Sequence, residues 1–267
     1  MTQQNPAQAR AKIEAMKRQF EQKRKIDESL DGITRKIGIY SGKGGVGKTT
    51  VAINIATTLA NEGATVGILD IDIDCPNVVR AMNLSQKPLL GDDKKMIPPE
   101  KFGVKVMSMA FFQENEDEAI IWRGPMIHNA INQMLQTTNW DKLDYLIIDL
   151  PPGTSDAPLT IMQTLTMDGF VMVTTPQNLA KIDAKRSINM VRKLQVNVLG
   201  VVENMSGGMF GSGGGEEIAN ELGIDFLGSL TMKPDYQDVS RPTVLLNNEI
   251  LEEYKIISSK VTKSLNQ

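Results

Sequence analysis

The chain has 267 residues, 41% hydrophobic and 23% charged, with a formal net charge of −3 at pH 7. This is the composition of an ordinary soluble globular protein, long enough for one large domain or two small ones, and it argues against a general attraction to nucleic acid or anionic lipid. One cysteine, Cys75, and one histidine, His128, exclude an internal disulfide and argue against a Cys/His metal site built within one chain.

Residues 1–32 read as a polar N-terminal extension, helical or mobile, with Ile13, Met16 and Phe20 at helical spacing. The first twenty residues lack the apolar core of a signal peptide. No apolar run approaches the roughly 20 residues that cross a bilayer, so a cytoplasmic location is expected. Residues 33–267 read as one domain. KIGIY is a strand candidate, followed by a glycine loop and a helix in TTVAINIATTLANEG that stops at Gly63. ATVGILDID and GVKVMSM are further strand candidates, with a helical stretch after Pro125. LDYLIIDL is a near-continuous apolar run, as in a strand buried on both faces. GFVMVTT, a helix from Lys181 to Leu194, NVLGVVEN, IDFLGSL and a terminal helix from Glu249 to Leu265 complete the chain. The terminal helix places Ile250, Tyr254, Ile257, Val261 and Leu265 on one stripe, for packing against the sheet. Strands alternating with helices give the fold class: α/β, a doubly wound, mostly parallel sheet with helices on both faces. The 15 methionines fit flexible core filling or an adaptable partner surface.

Chemistry must then rest on Lys, Asp, Thr, backbone amides and a cation such as Mg²⁺. SGKGGVGKTT fits G-x-x-x-x-G-K-[ST] from Gly42 to Thr49, after a strand and at the opening of a helix, as a phosphate cradle requires. The candidate ATP-binding residues are Gly42, Lys43, Gly44, Gly45, Val46, Gly47, Lys48, Thr49 and Thr50. Lys48 would reach the β and γ phosphates, Thr49 would bind Mg²⁺, and Thr50 would reach the α phosphate. Asp149, ending a buried strand, would hold a Mg²⁺-bound water in the ion's outer shell. Asp70, Asp72 and Asp74 alternate along ILDIDIDCPN. Asp72 is chosen to orient the attacking water, on the expectation that its strand lies beside the cradle strand. Lys43 is surplus to a simple cradle. It is either a solvated lysine or a finger reaching a partner subunit's phosphates, which requires a dimer.

A second glycine cluster, ENMSGGMFGSGGGEE, has no Lys-Ser/Thr after its glycines. It reads as the turn into the next helix, not as a rival nucleotide loop.

KGGVGKTT resembles the deviant Walker A motif of the MinD/ParA/nitrogenase-iron-protein class of dimerising ATPases. With WRGPM (Trp122 to Met126), DYLIIDLPPGTSD (Asp144 to Asp156), TTPQ, VVENMS and FGSGGGE, the chain resembles the Mrp/ApbC-type iron–sulfur cluster carriers from about Ile37 to about Leu245. The resemblance implies a homodimer with two ATP at its interface, slow dimer- or partner-dependent hydrolysis, and Lys43 acting across the interface. It implies switch segments at Asp72 to Asn77 and at Asp149 to Asp156, the latter including Pro152 and Gly153, and Asn204 as an adenine contact. It also implies a labile 4Fe–4S cluster bridged between subunits and passed to apo iron–sulfur clients. The chain departs from that pattern at one place. The C-x-x-C pair that carriers hold between ENMS and FGSGGGE is missing, and two Cys75 per dimer are too few for the usual four thiolates. Cys75 reads as a packed small side chain and not as a ligand. Three functions stay open: an iron–sulfur carrier or assembly factor, a nucleotide-switched partner-binding ATPase without cluster chemistry, and a plain metabolic ATPase or kinase. ParA-like DNA binding is disfavoured, since no lysine-rich surface helix is evident.

Overall fold

The computed structural model describes residues 6–113, 124–154 and 156–266. Its elements are α1 (Pro6–Ser29), β1 (Ile33–Ser41), α2 (Lys48–Asn61), β2 (Val66–Asp70), α3 (Val78–Ala81), β3 (Leu89–Leu90), β4 (Met96–Ile97), β5 (Glu100–Lys101), β6 (Val104–Ser108), α4 (Gly124–Thr137), β7 (Leu143–Asp149), α5 (Asp156–Thr164), β8 (Gly169–Thr174), α6 (Asn178–Lys193), β9 (Val198–Ser206), α7 (Gly214–Leu222), β10 (Phe226–Thr231) and α8 (Asn248–Ser264). Eight strands form one sheet in the order β10-β9-β8-β1-β7-β2-β6-β5. All its pairings are parallel except β5 with β6. This is the doubly wound α/β sheet expected from the strand–helix alternation.

The apolar runs work because their side chains alternate between two cores. On β1, Ile37 and Ile39 enter one core and Tyr40 the other; on β7, Ile147 enters the first, and Leu146 and Ile148 the second. The first core is closed by α2 and α8, through Val51, Ile55, Ile250, Tyr254, Ile257 and Val261. The second is closed by α4, α5, α6 and α7, and it also takes Ile26 and Leu30 from the end of α1 and the turn after it. Ile13, Met16 and Phe20, earlier on α1, stay exposed. Met82, Met107, Met109, Met134, Met162 and Met172 fill the cores, as flexible core filling expects, while Met126, Met209 and Met232 face outward.

The placement of β2 differs from expectation. It does not lie beside β1, because β7 runs between them and pairs with both. The short strands β3, β4 and β5 carry no sequence signal, being two residues each. Trp122 and Arg123 of WRGPM, and Ser155 within the second switch segment, lie outside the described residues. Among the described residues no helix is long and apolar enough to cross a membrane.

Candidate nucleotide site

The site forms at the carboxyl ends of the central strands, where a doubly wound sheet binds ligands. β1 ends at Ser41, and the chain turns through Gly42–Gly47 into α2. Gly45 (φ +77°) and Gly47 (φ +81°) adopt left-handed conformations there. Two of the glycines are also demanded by close approach. A Cβ on Gly42 would lie 2.3–2.7 Å from backbone atoms of Asp183 and Ala184 on α6, and one on Gly47 would lie 2.2 Å from the Asn204 amide nitrogen. The turn is therefore pressed between α6 and the end of β9.

Register sets the rest. Asp149 is paired with Ile39 on one side and Asp70 on the other. It lands at the mouth of the loop, fully buried, where Lys48 Nζ donates to its Oδ1 at 2.6 Å and Thr49 Oγ1 to its Oδ2 at 2.6 Å. Asp72 Oδ2 lies 3.7 Å from the same Lys48 Nζ. It reaches Lys48 from beyond β7, because the chain continues past the end of β2. Lys48 and Asp72 are each 6% exposed, so one cation balances a buried acidic group. Burial pushes the Asp72 carboxyl up, and Lys48 only partly offsets it. Asp70, deeper still, is pushed up to about 8, first by burial and then by the Asp149 charge. It accepts from Ser108 Oγ at 2.8 Å, Val78 N at 3.2 Å and Asp72 N at 3.2 Å, and so pins both ends of the 72–77 loop.

The remaining candidates fall around this centre. Gly44 and Gly45 are exposed and Val46 is buried; Thr50 holds Asn54 through its carbonyl. Lys43 is turned away from Asp149: its Nζ donates to Gln177 Oε1 at 3.4 Å, on the outer side of the loop. A cavity of about 190 Å³ opens there, lined by Lys43, Gln177, Met205 and Phe210 among others. Asn204 donates from its amide nitrogen to the Val46 carbonyl at 2.8 Å and is 6% exposed. Its position is therefore that of a brace beneath the cradle. Asn77 donates to the Cys75 carbonyl at 3.0 Å. Pro152 and Gly153 lie against the first half of the loop, with Gly153 N donating to the Ser41 carbonyl at 2.9 Å.

Cys75 corrects an expectation: it is exposed, not packed. The reason is local. Val78 takes the core position at the start of α3 and its N–H is held by Asp70, so the 74–77 turn is pushed outward. Among the described residues no group of three or more His, Cys, Asp or Glu could hold a metal ion.

The second glycine cluster has its own buried anion. Glu203, 1% exposed near the end of β9, accepts from Gly213 N at 3.0 Å, Gly215 N at 2.7 Å and Ser206 Oγ at 2.8 Å. The start of α7 is an anion site, as helix N-termini are, and the chain's own carboxylate fills it. A Cβ on Gly215 would sit 2.8 Å from that of Glu203, which explains the glycine. Sequence reasoning missed Glu203. The available signal was an acidic residue in an apolar strand just before a glycine-opened helix.

Comparison with known proteins shows the family and the fold. Residues 32–264 match the ParA family model, described as NUBPL iron-transfer P-loop NTPase. The chain is 40% identical over 260 residues to the iron-sulfur cluster carrier protein of Methanocaldococcus jannaschii, covering 92% of this chain and 90% of that one. It is 39% identical to the iron-sulfur cluster transfer protein NUBPL of Dictyostelium discoideum, covering 89% and 78%. A nucleotide-binding protein of Archaeoglobus fulgidus, solved in complex with ADP, matches with a TM-score of 0.73 at 34% identity over 87% of this chain and 95% of that one. The cell division ATPase MinD of Pyrococcus furiosus matches with a TM-score of 0.68 at 20% identity over 86% and 99%, a likeness of fold. The chain belongs to the ParA-type, NUBPL iron-transfer family of P-loop NTPases.

Proposed function

We propose that the protein binds ATP with Mg²⁺, hydrolyses it slowly as a homodimer, and uses that cycle in iron–sulfur cluster carriage or assembly. The observation that carries the nucleotide part is the contact of Lys48 and Thr49 with Asp149 at the mouth of the glycine turn. A phosphate chain entering the turn takes the backbone N–H groups of residues 44–49 and draws Lys48 off Asp149. The Thr49 hydroxyl and Asp149 carboxylate are hard oxygen donors suited to Mg²⁺, which neutralises phosphate charge when bound. Asp72, beside Lys48 and raised by burial, is placed to orient water and accept its proton. Lys43, held only by its long bond to Gln177, serves a partner's phosphates. Asn204 is proposed to touch the base only from its carbonyl end, since its nitrogen is held by Val46.

The cluster is cargo. With one thiol per chain, a dimer offers two thiolates, so two or more ligands must come from a client or a small thiol. The same scarcity favours a second reading, in which nucleotide alone switches partner binding. Anaerobic reconstitution with iron and sulfide, followed by transfer to an apo-enzyme, separates them. The carrier reading expects cluster absorbance and transfer; their absence, with ATP-selective pull-downs, establishes the switch. Both readings expect Lys48→Ala and Asp72→Ala to lose ATP turnover, and retention of turnover in either defeats the shared mechanism.

A further inference from the structure

Tyr40 is the next-to-last residue of β1, just before the cradle turn. Its ring is fully buried and meets Phe170 edge-on, with centroids 6.3 Å apart and planes at 66°. Its hydroxyl donates to the carbonyl of Gly153, four residues beyond Asp149. Gly153 is held from the other side as well, by its N–H on the Ser41 carbonyl at 2.9 Å. Its φ of +84° is one a glycine enters and leaves freely, so these two bonds decide where its peptides point. The hydroxyl has a second neighbour. Ser187 of α6 lies close enough to offset part of the effect of burial on Tyr40. Apart from that contact, the buried Ser187 Oγ makes no hydrogen bond among the described residues. A buried hydroxyl with so little to bond to is uncommon and demands a reason.

We propose that Tyr40 is a positioning residue with two seats. On the Gly153 carbonyl, its hydroxyl holds the 149–153 segment in the conformation seen here; on Ser187, it lets Gly153 turn toward the terminal phosphate of a nucleoside triphosphate. This rests on the nucleotide reading of the site. The segment already lies against the first half of the cradle: the Pro152 ring and the Gly42 carbonyl each come within 3.9 Å of Cβ positions on Gly44 and Gly153 respectively. An N–H released from Ser41 is already beside the cradle, and only a ligand with oxygens beyond the β phosphate rewards its turn. Without Ser187, release would strand a buried donor, which is costly; with it, the donor has the Ser187 oxygen to turn to. Burial holds the Tyr40 hydroxyl at a pKa of about 12, so it stays a neutral donor at working pH.

The test compares Kd for a non-hydrolysable ATP analogue with Kd for ADP, both with Mg²⁺, on the full chain by calorimetry. Tyr40→Phe keeps the ring and frees Gly153, and should raise the preference for the analogue about five-fold, the worth of one ordinary hydrogen bond. Ser187→Ala removes the second seat and should lower that preference by a similar factor. General damage would not produce opposite signs. Hydrogen exchange at the Gly153 amide should quicken in Tyr40→Phe without nucleotide. An unchanged or reduced preference in Tyr40→Phe overturns the proposal. Should that variant unfold, an unchanged preference in Ser187→Ala overturns it instead. Failure of the unaltered chain to bind either nucleotide defeats the site reading itself, and is seen without any variant.

Discussion

Asp70 shows how far burial can work against a carboxylate. Three donors point at it, which favours its charged form, yet burial and the Asp149 charge outweigh them and hold its pKa near 8, against 3.8 unperturbed. The sign of the consequence is fixed. Between those two values the folded chain keeps a proton that the unfolded chain has released, so this group's contribution to stability falls as pH rises from about 4 to about 8. Asp70→Asn cannot titrate. Its stability relative to the parent should therefore climb steadily over that window, in urea titrations of protein free of nucleotide and Mg²⁺. A constant difference between the two chains across the window would show that Asp70 is ionised throughout. Asp72, raised in the same direction by burial, is present in both chains and cancels from the comparison.

The elements most legible in the sequence are those whose signal is local. β7 is a near-continuous and β8 an almost wholly apolar run because both faces of each are covered along most of their length. The cradle is legible for the same reason, since its residues are contiguous. α5 is hidden because Pro158 reads as a breaker, whereas it is the third residue of the helix, within the first turn where proline is tolerated. β3 and β4 are defined only by pairing with each other. Asp72 stands out by its alternation, but the order of strands is a tertiary fact and puts β7 in between. Tyr40 is illegible because its partner, Gly153, is remote in sequence, and Glu203 offers only the faint signal of an acid in an apolar strand, its partners Gly213 and Gly215 being hidden in what looks like an ordinary turn. Glu203 also makes the docking of α7 testable. Glu203→Ala leaves two N–H groups at the start of α7 and the Ser206 hydroxyl without their acceptor, a loss on the order of 2–4 kcal/mol. Thermal unfolding should show it as a fall in Tm of roughly 5–15 °C, with Glu203→Gln intermediate. A fall under about 2 °C would mean that the carboxylate contributes little to holding α7.

The two lysines of the cradle divide the molecule's chemistry between an inside and an outside. Lys48 is buried against Asp149 and Asp72, while Lys43 points outward with only a long bond to Gln177. Phe210 shares the Lys43 cavity, and Met209, 97% exposed, sits next to it on the tip that Glu203 fixes in place. A cation turned away from Asp149, beside exposed apolar side chains, suits the proposed surface that meets another subunit. The proposed homodimer supplies that surface, and it makes Lys43 separable from the rest of the cradle. With ADP the chain should sediment as a monomer, and with a non-hydrolysable ATP analogue as a dimer. Lys43→Ala should bind either nucleotide within about two-fold of the parent, because Lys48, Thr49 and Asp149 are untouched. It should nevertheless remain a monomer with the analogue and turn over ATP at least ten-fold more slowly, because no partner cation then steadies the charge that builds on the transferring phosphoryl group. A Lys43→Ala chain that dimerises and hydrolyses like its parent would make Lys43 a solvated lysine after all, and would leave the dimer to rest on the apolar tip alone.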